Sequence, residues 1–247
     1  MLKILKMDLY RILKMKSTWI LSSISLAFSA FSVFILKDTV KNVSDISVFS
    51  CFSFFIQSMI LLILLPIFAA LFTDGDNKTG FIKTIGGIVP NRGILAASKI
   101  ISCIIYTLGI MLISFLGCCV FSGILLGQIK FDDFDDNYKF IFSQIFTHCS
   151  LSVIVSMLAI WWRSGAASMA VGIVFTSGIP SLIFMGLNHL LHKYLSVPNS
   201  FDINKYFFVS YLGTEGTSIK TGVIVCAVYF VIAAVAAILI MSKRDVK

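Results

Sequence analysis

Long apolar runs separated by short polar segments set the plan of this chain. Six such runs can be read, over residues 17 to 36, 48 to 72, 93 to 126, 140 to 162, 165 to 187 and 219 to 241. A helix needs about 20 apolar residues to cross a bilayer, and each run meets that length. The second run carries Pro66 near its end. The third is longer than one crossing requires, so it tilts or projects a turn or two into water at its start. Only Arg163 and Ser164 separate the fourth and fifth runs, which predicts a tight helical hairpin. The runs are continuously apolar rather than alternating, which excludes a transmembrane barrel. The expected fold is therefore an all-α integral membrane domain spanning residues 1 to 247, with six transmembrane helices.

The segments between the runs add detail. Leu2, Leu5, Leu9, Ile12 and Leu13 recur at helical spacing, with Lys3, Lys6, Arg11 and Lys14 mainly elsewhere on the helix. This predicts an amphipathic helix over residues 1 to 16, lying in the membrane interface with its basic side toward anionic lipid. The basic start followed by an apolar run has no small-residue cleavage pattern, so the first span reads as retained. The stretch from 188 to 218 mixes aromatic and polar residues and reads as short interfacial or re-entrant helices. QIKFDDFDDNYK, residues 128 to 139, reads as a solvated acidic turn.

Composition agrees with this plan. The chain is 58% hydrophobic and 13% charged, and its mean hydropathy is +0.96. Six spans put both termini on one side. That side holds Lys3, Lys6, Arg11, Lys14, Lys16, Lys78, Lys83, Arg92, Lys99, Arg163, Lys243, Arg244 and Lys247 against only Asp8, Asp74, Asp76 and Asp245. The remaining seven basic residues face eight acidic ones on the other side. The Lys/Arg bias predicts a multi-pass cell-membrane protein with both termini in the cytoplasm. The positive charge is a topology signal spread over four short segments, and no nucleic-acid partner is expected.

Candidate chemistry is sparse. The six cysteines lie inside apolar runs without CxxC spacing and read as small hydrophobes at helix contacts. No phosphate loop, HExxH or GxSxG occurs. His189 and His192 lack a third ligand in register, so no metal site is expected. His148 is the one histidine inside a span, where an ionisable group is a functional candidate by default. Asp and Glu are absent from the span cores, so ion-coupled transport lacks its usual mid-membrane group. Any uphill transport would draw energy from outside the bilayer. Gly123 and Gly127 form a GxxxG pair, Gly165, Gly172 and Gly178 lie on the fifth span, and Ala233, Ala234, Ala236 and Ala237 on the sixth. Such small residues suit close helix contacts, within one chain or between two. The 23 Phe residues suit lipid contact or an apolar lateral cleft.

The polar segment from Asp74 to Lys99 is the most distinctive in the chain. Asp74, the turn Gly80-Phe81-Ile82-Lys83, the pair Asn91-Arg92 and the pair Ser98-Lys99 follow one another in an order that resembles the first cytoplasmic loop of type-2 ATP-binding-cassette permeases. Met7-Asp8-Leu9-Tyr10-Arg11-Ile12-Leu13-Lys14 resembles that family's N-terminal helix. Phe81 and Asp74 depart from the family's usual Thr and Glu. The resemblance implies a coupling loop over 74 to 92, with a short cytoplasmic coupling helix that rests in a groove of a separate ATPase subunit. Asp74, Lys78, Gly80, Phe81, Ile82, Lys83, Ile85 and Arg92 would make that contact. ATP and Mg would be bound by the partner, and this chain would hold no cofactor and have no ATPase site of its own. A second permease chain, identical or homologous, would complete the assembly, in contact with membrane lipid.

The family further implies a substrate path lined by the first, second and fifth spans, where Ser25, Ser29, Ser32, Gln57, Ser58, Thr176 and Ser177 are the polar candidates. The chain's size resembles that of the permeases that protect Gram-positive bacteria from lantibiotics and related peptide antibiotics by export. Two other classes remain open at this point. One is a membrane sensor or assembly partner that moves nothing. The other is a lipid-acting membrane enzyme built on His189, His192 and Asp202.

Overall fold

The computed structural model describes residues 1–40, 46–78, 92–131, 134–194, 202–211 and 219–243. Among these residues every regular element is helical. The helices are α1 (Leu2–Lys14), α2 (Lys16–Thr39), α3 (Val48–Gln57), α4 (Met59–Lys78), α5 (Gly93–Leu125), α6 (Phe134–Trp162), α7 (Gly165–Thr176), α8 (Ile179–Tyr194) and α9 (Ile219–Ser242). Two 3-10 turns, Ile203–Tyr206 and Phe208–Tyr211, precede α9.

Four helices are long and apolar enough to cross a membrane unaided: α2, α5, the part of α6 from Lys139, and α9 from Lys220. Two bent pairs raise the number to six, α3 with α4 (60°) and α7 with α8 (58°). The second and fifth runs are thus broken, where the sequence suggested continuous helices. The first break falls at Ser58. Its backbone is extended, and its Oγ donates to the Phe55 carbonyl at 2.5 Å. At the second break Gly178 takes φ +78°, a conformation that glycine adopts without a Cβ penalty, and Pro180 opens the new helix in its first turn. Gly127 likewise has φ +70° just past the end of α5. It terminates that helix, so Gly123 and Gly127 do not form a packing face. The expected acidic turn is shorter too, because α6 begins at Phe134 and takes in Asp135 and Asp136; Asp132 and Asp133 lie outside the described residues.

Contacts fix an up-and-down threading. Lys37 Nζ donates to the Leu125 carbonyl at 2.8 Å, joining the ends of α2 and α5. Gln144 Nε2 donates to the Tyr211 carbonyl at 2.9 Å, which ties the start of α6 to the turn before α9. Ser150 Oγ donates to the Cys226 carbonyl at 3.2 Å, so α6 and α9 run side by side in one direction. The N-terminal helix, the end of α4, the start of α5, the α6–α7 turn and the end of α9 thereby share one end of the bundle, called here the basic end.

Helix α6 is the centre, with 72% of its spanning window buried against 17 to 33% for the other three unbroken spans. Its buried face is polar, and the hydroxyls find partners on neighbouring helices. Thr107 and Ser152 hydroxyls pair at 2.8 Å, and Ser156 Oγ donates to Cys103 Sγ at 3.3 Å. His148 is fully buried, with Nδ1 2.7 Å from the Gln144 carbonyl. The polar stretch before α9 folds back onto the bundle. Asp202 accepts from Asn188 Nδ2 at 2.5 Å and from the Asn204 backbone N–H at 2.9 Å, and Phe207 packs on Phe184 and Phe175.

The two broken spans cross at one place. A Cβ added at Gly172 would lie 2.7 Å from Pro66 Cβ and 2.9 Å from Val155 Cγ2. Gly172→Leu is therefore expected to destabilise the chain by about 1–3 kcal/mol or more through overpacking. Gly186→Ala, on α8 with nothing within 4 Å, is expected to be neutral or stabilising by up to about 1 kcal/mol. Thermal unfolding of both purified variants in detergent checks the contrast.

Candidate functional site

Three helices each carry one charged residue on an otherwise apolar stripe. On α1 the stripe is Ile4, Asp8, Ile12; on α4 it is Phe68, Phe72, Asp76; on α5 it is Leu95, Lys99, Cys103. Each set has i, i+4, i+8 spacing, so a face that packs against its neighbours must carry its charge inward. The structure buries all three, leaving Asp8 1%, Asp76 4% and Lys99 6% exposed.

They meet at the basic end. Lys99 Nζ lies 3.1 Å from Asp8 Oδ1 and 2.8 Å from Asp76 Oδ2, bridging the two carboxylates. Arg11, half-buried on α1, pairs with Asp76 Oδ1 and lies 3.7 Å from Asp8 Oδ1. Ser98 Oγ donates to Asp8 Oδ2 at 2.6 Å. The Lys99 ammonium also sits 3.9 Å from the centroid of the Phe72 ring, a cation–π contact. Two cations and two anions balance, so the cluster is neutral as a whole. Neutrality is what makes its burial tolerable, since an unpaired buried charge costs several kcal/mol.

A third carboxylate extends the cluster's reach. Asp74, 2% exposed, lies against the first residue of α7: a Cβ at Gly165 would be 2.8 Å from Asp74 Cβ and 2.9 Å from Oδ2. The contact puts negative charge at a helix N-terminus, which the helix dipole favours. Its neighbour Ser164 caps the same helix by accepting from the Ala167 N–H at 3.3 Å. Arg163, the residue before that cap, has φ +55° and turns the chain between α6 and α7.

The residues expected on the loop fall into two groups. Asp74, Lys78 and Arg92 stand at its base: Asp74 is buried, Lys78 ends α4, and Arg92 precedes α5. Gly80, Phe81, Ile82, Lys83 and Ile85 lie outside the described residues. The pair Asp76–Lys99 closes across the base of segment 79–91. In the sequence Asp8, Arg11, Asp76 and Lys99 counted as charges marking one side of a membrane, and Asp8, Arg11 and Lys99 also lay in the segments that carry the family resemblance. The i, i+4, i+8 stripes were the signal that they turn inward.

The polar residues expected on a substrate path are engaged in helix contacts. Ser25 and Ser114 hydroxyls pair at 2.6 Å, joining α2 to α5. Ser29 donates to the Leu26 carbonyl at 2.7 Å and is pressed against Gly117. Ser32 donates to the Ser29 carbonyl at 2.8 Å, and its Oγ is 3.9 Å from Cys118 Sγ. Thr176 and Ser177 donate back to Ile173 and Val174 at 2.9 and 2.8 Å. Ser58 and Ser177 sit at the two helix breaks, and Gln57, beside the first, is exposed. An apolar lateral cleft of about 580 Å³ has walls that include Phe49, Phe52, Phe115 and Phe131. It lies between α3, α5 and α6, not between the first, second and fifth spans.

Comparison of the chain with protein-family models and with curated proteins returns no match.

The ionic cluster makes a direct prediction. Lys99→Met leaves Asp8 and Asp76 buried side by side without their bridge, and is expected to cost about 3–5 kcal/mol. Lys6→Met, on the exposed side of α1, is expected to change stability by less than about 0.5 kcal/mol. Denaturant or thermal unfolding in detergent distinguishes the two.

Proposed function

We propose that this chain is the permease subunit of an ATP-driven transporter of the type-2 ATP-binding-cassette kind. It would work as a dimer, with a second permease chain and cytoplasmic ATPase subunits that hydrolyse ATP with Mg. The supporting observation is mechanical. Both ends of segment 79–91 are rooted in one buried ionic cluster, and that cluster also holds the N-terminal helix. A push or pull delivered to the loop would pass through Asp76 and Lys99 into α4, α5 and α1 together. Asp74 against Gly165 would carry the same displacement into α7. In this reading the basic end faces the cytoplasm, as the Lys/Arg bias favours. Phe81, Ile82, Lys83 and Ile85 are the partner contacts, while Asp74 holds the loop's base.

The proposed cargo is amphipathic, a lantibiotic or related peptide antibiotic exported for self-protection. The aromatic cleft between α3, α5 and α6 offers a place for its apolar side. The two bent spans give the bundle hinges, and their crossing at Pro66 and Gly172 would make them move as a pair.

Affinity purification from native membranes in mild detergent tests this reading. An ATPase subunit is expected to accompany the wild-type chain and to be lost from the Phe81→Glu, Lys83→Glu variant. Recovery of no ATPase with the wild type would overturn the transporter reading in favour of a non-transporting sensor or assembly partner.

A further inference from the structure

A second cleft, of about 380 Å³, opens at the basic end between α1, α2 and α5. That volume falls in the range of small-molecule sites. Leu13, Trp19, Ile105 and Ile113 form its exposed apolar lips, so it opens on the side of the bundle that hydrocarbon would cover. Trp19 is held in place, its Nε1 donating to the Leu13 carbonyl at 2.9 Å.

Two buried hydroxyls line this largely apolar cleft. Thr18 Oγ1 is buried, with the residue 8% exposed, and has no hydrogen-bond partner. The Tyr106 hydroxyl, on a residue 7% exposed, lies toward Ser22 without a hydrogen bond of normal geometry. The Tyr106 ring is fixed by stacking on Phe68, with centroids 3.4 Å apart. A buried hydroxyl left unpaired costs about 1–3 kcal/mol, and a bilayer core offers no water to supply the bond. Both groups can donate, so a ligand that pairs with them needs acceptor oxygens above an apolar tail. Lys14 and Lys16, both exposed, lie between the wall residues Leu13 and Thr18 in the chain and supply positive charge at this end of the bundle.

We propose that this cleft seats one acyl chain of an anionic phospholipid, with its ester carbonyls accepting from Thr18 and Tyr106 and its phosphate against Lys14 and Lys16. The site requires only that the helices span a membrane, and it stands independently of the transport reading. It turns α1 from a helix that merely lies on the bilayer into one wall of a lipid site. The other walls are the first span and the third, and the third carries Lys99 of the ionic cluster.

Gly109 supplies the test. It lines the cleft, and a Cβ there would meet nothing within 4 Å. Gly109→Leu therefore puts an apolar side chain into the cleft from a position open at Cβ, and raises helix propensity. Trp19, with Trp161 and Trp162 changed to Phe, reports occupancy through quenching by lipids brominated on their chains. The purified full chain in detergent is titrated with brominated phosphatidylglycerol or brominated phosphatidylcholine. Saturable quenching is expected, with half-effect at a severalfold lower fraction of phosphatidylglycerol. Gly109→Leu is expected to abolish the saturable phase, and Lys14→Gln with Lys16→Gln to abolish the preference between lipids. The double change Thr18→Val, Tyr106→Phe is expected to weaken binding severalfold while preserving the fold. Quenching that rises linearly and equally with both lipids in the wild type would overturn the proposal. So would a saturable phase unchanged in Gly109→Leu or in the hydroxyl-free variant.

Discussion

A lysine cannot be buried alone at the end of a membrane bundle. Lys99 is tolerated because Asp8 and Asp76 arrive from two other helices to meet it, and each carboxylate also has Arg11 nearby. The arrangement is all-or-nothing. Removing any member strands a charge whose desolvation costs several kcal/mol, so the cluster forces α1, α4 and α5 to share one geometry. Ser98 and the face of Phe72 complete the coordination, leaving little freedom for the ammonium or for Asp8 to turn away. Polar groups gain conformational specificity in this way even where an apolar substitute would stabilise as well.

The rest of the bundle grows from that end by other means. Along the membrane-spanning length hydroxyls of α6 meet a hydroxyl and a thiol of α5 and a backbone carbonyl of α9, partners that hydrocarbon does not supply. The broken spans differ from both. Their kinks at Ser58 and Gly178 lie away from the cluster, while their straight halves, α4 and α7, are locked through Pro66 and Gly172 and again through Asp74 and Gly165. The molecule thus combines a rigid basic end with bends farther along, a division suited to transmitting displacement from one end. That mechanical division underlies the proposed role as the membrane subunit of a transporter. The lipid cleft adjoins the rigid end, so an occupying acyl chain would buttress α1 from the side opposite the charges.

Much of this was legible in the chain. The lengths of the apolar runs give the spans to within a few residues, and Arg163-Ser164 marks the hairpin between α6 and α7. The amphipathic start of the chain gives α1. The breaks were harder to see. Ser58 has no strong breaking tendency, and its extended backbone is set by how α3 and α4 pack. Gly178 with Pro180 carried a clearer signal, a positive-φ glycine followed by a helix-starting proline. The cluster was hidden by a counting argument: charges near span ends served to orient the chain, and only their place on apolar stripes says that they turn inward. The serines of α2 entered as path candidates through the family resemblance, and the structure also places them on the seam with Gly117 and Ser114 of α5.

Whether the cluster sets the position of α1 is open to direct measurement. Spin labels at Lys6 and Trp161, both exposed, can be introduced after the six native cysteines are changed to alanine. Pulsed electron paramagnetic resonance in lipid nanodiscs then reads the distance between α1 and the end of α6, with and without Asp76→Asn. A single narrow distribution that broadens or shifts when Asp76 loses its charge is the expected result. A distribution unchanged by that substitution would mean that apolar packing alone holds α1, and that the buried charges are not what orders this end of the molecule.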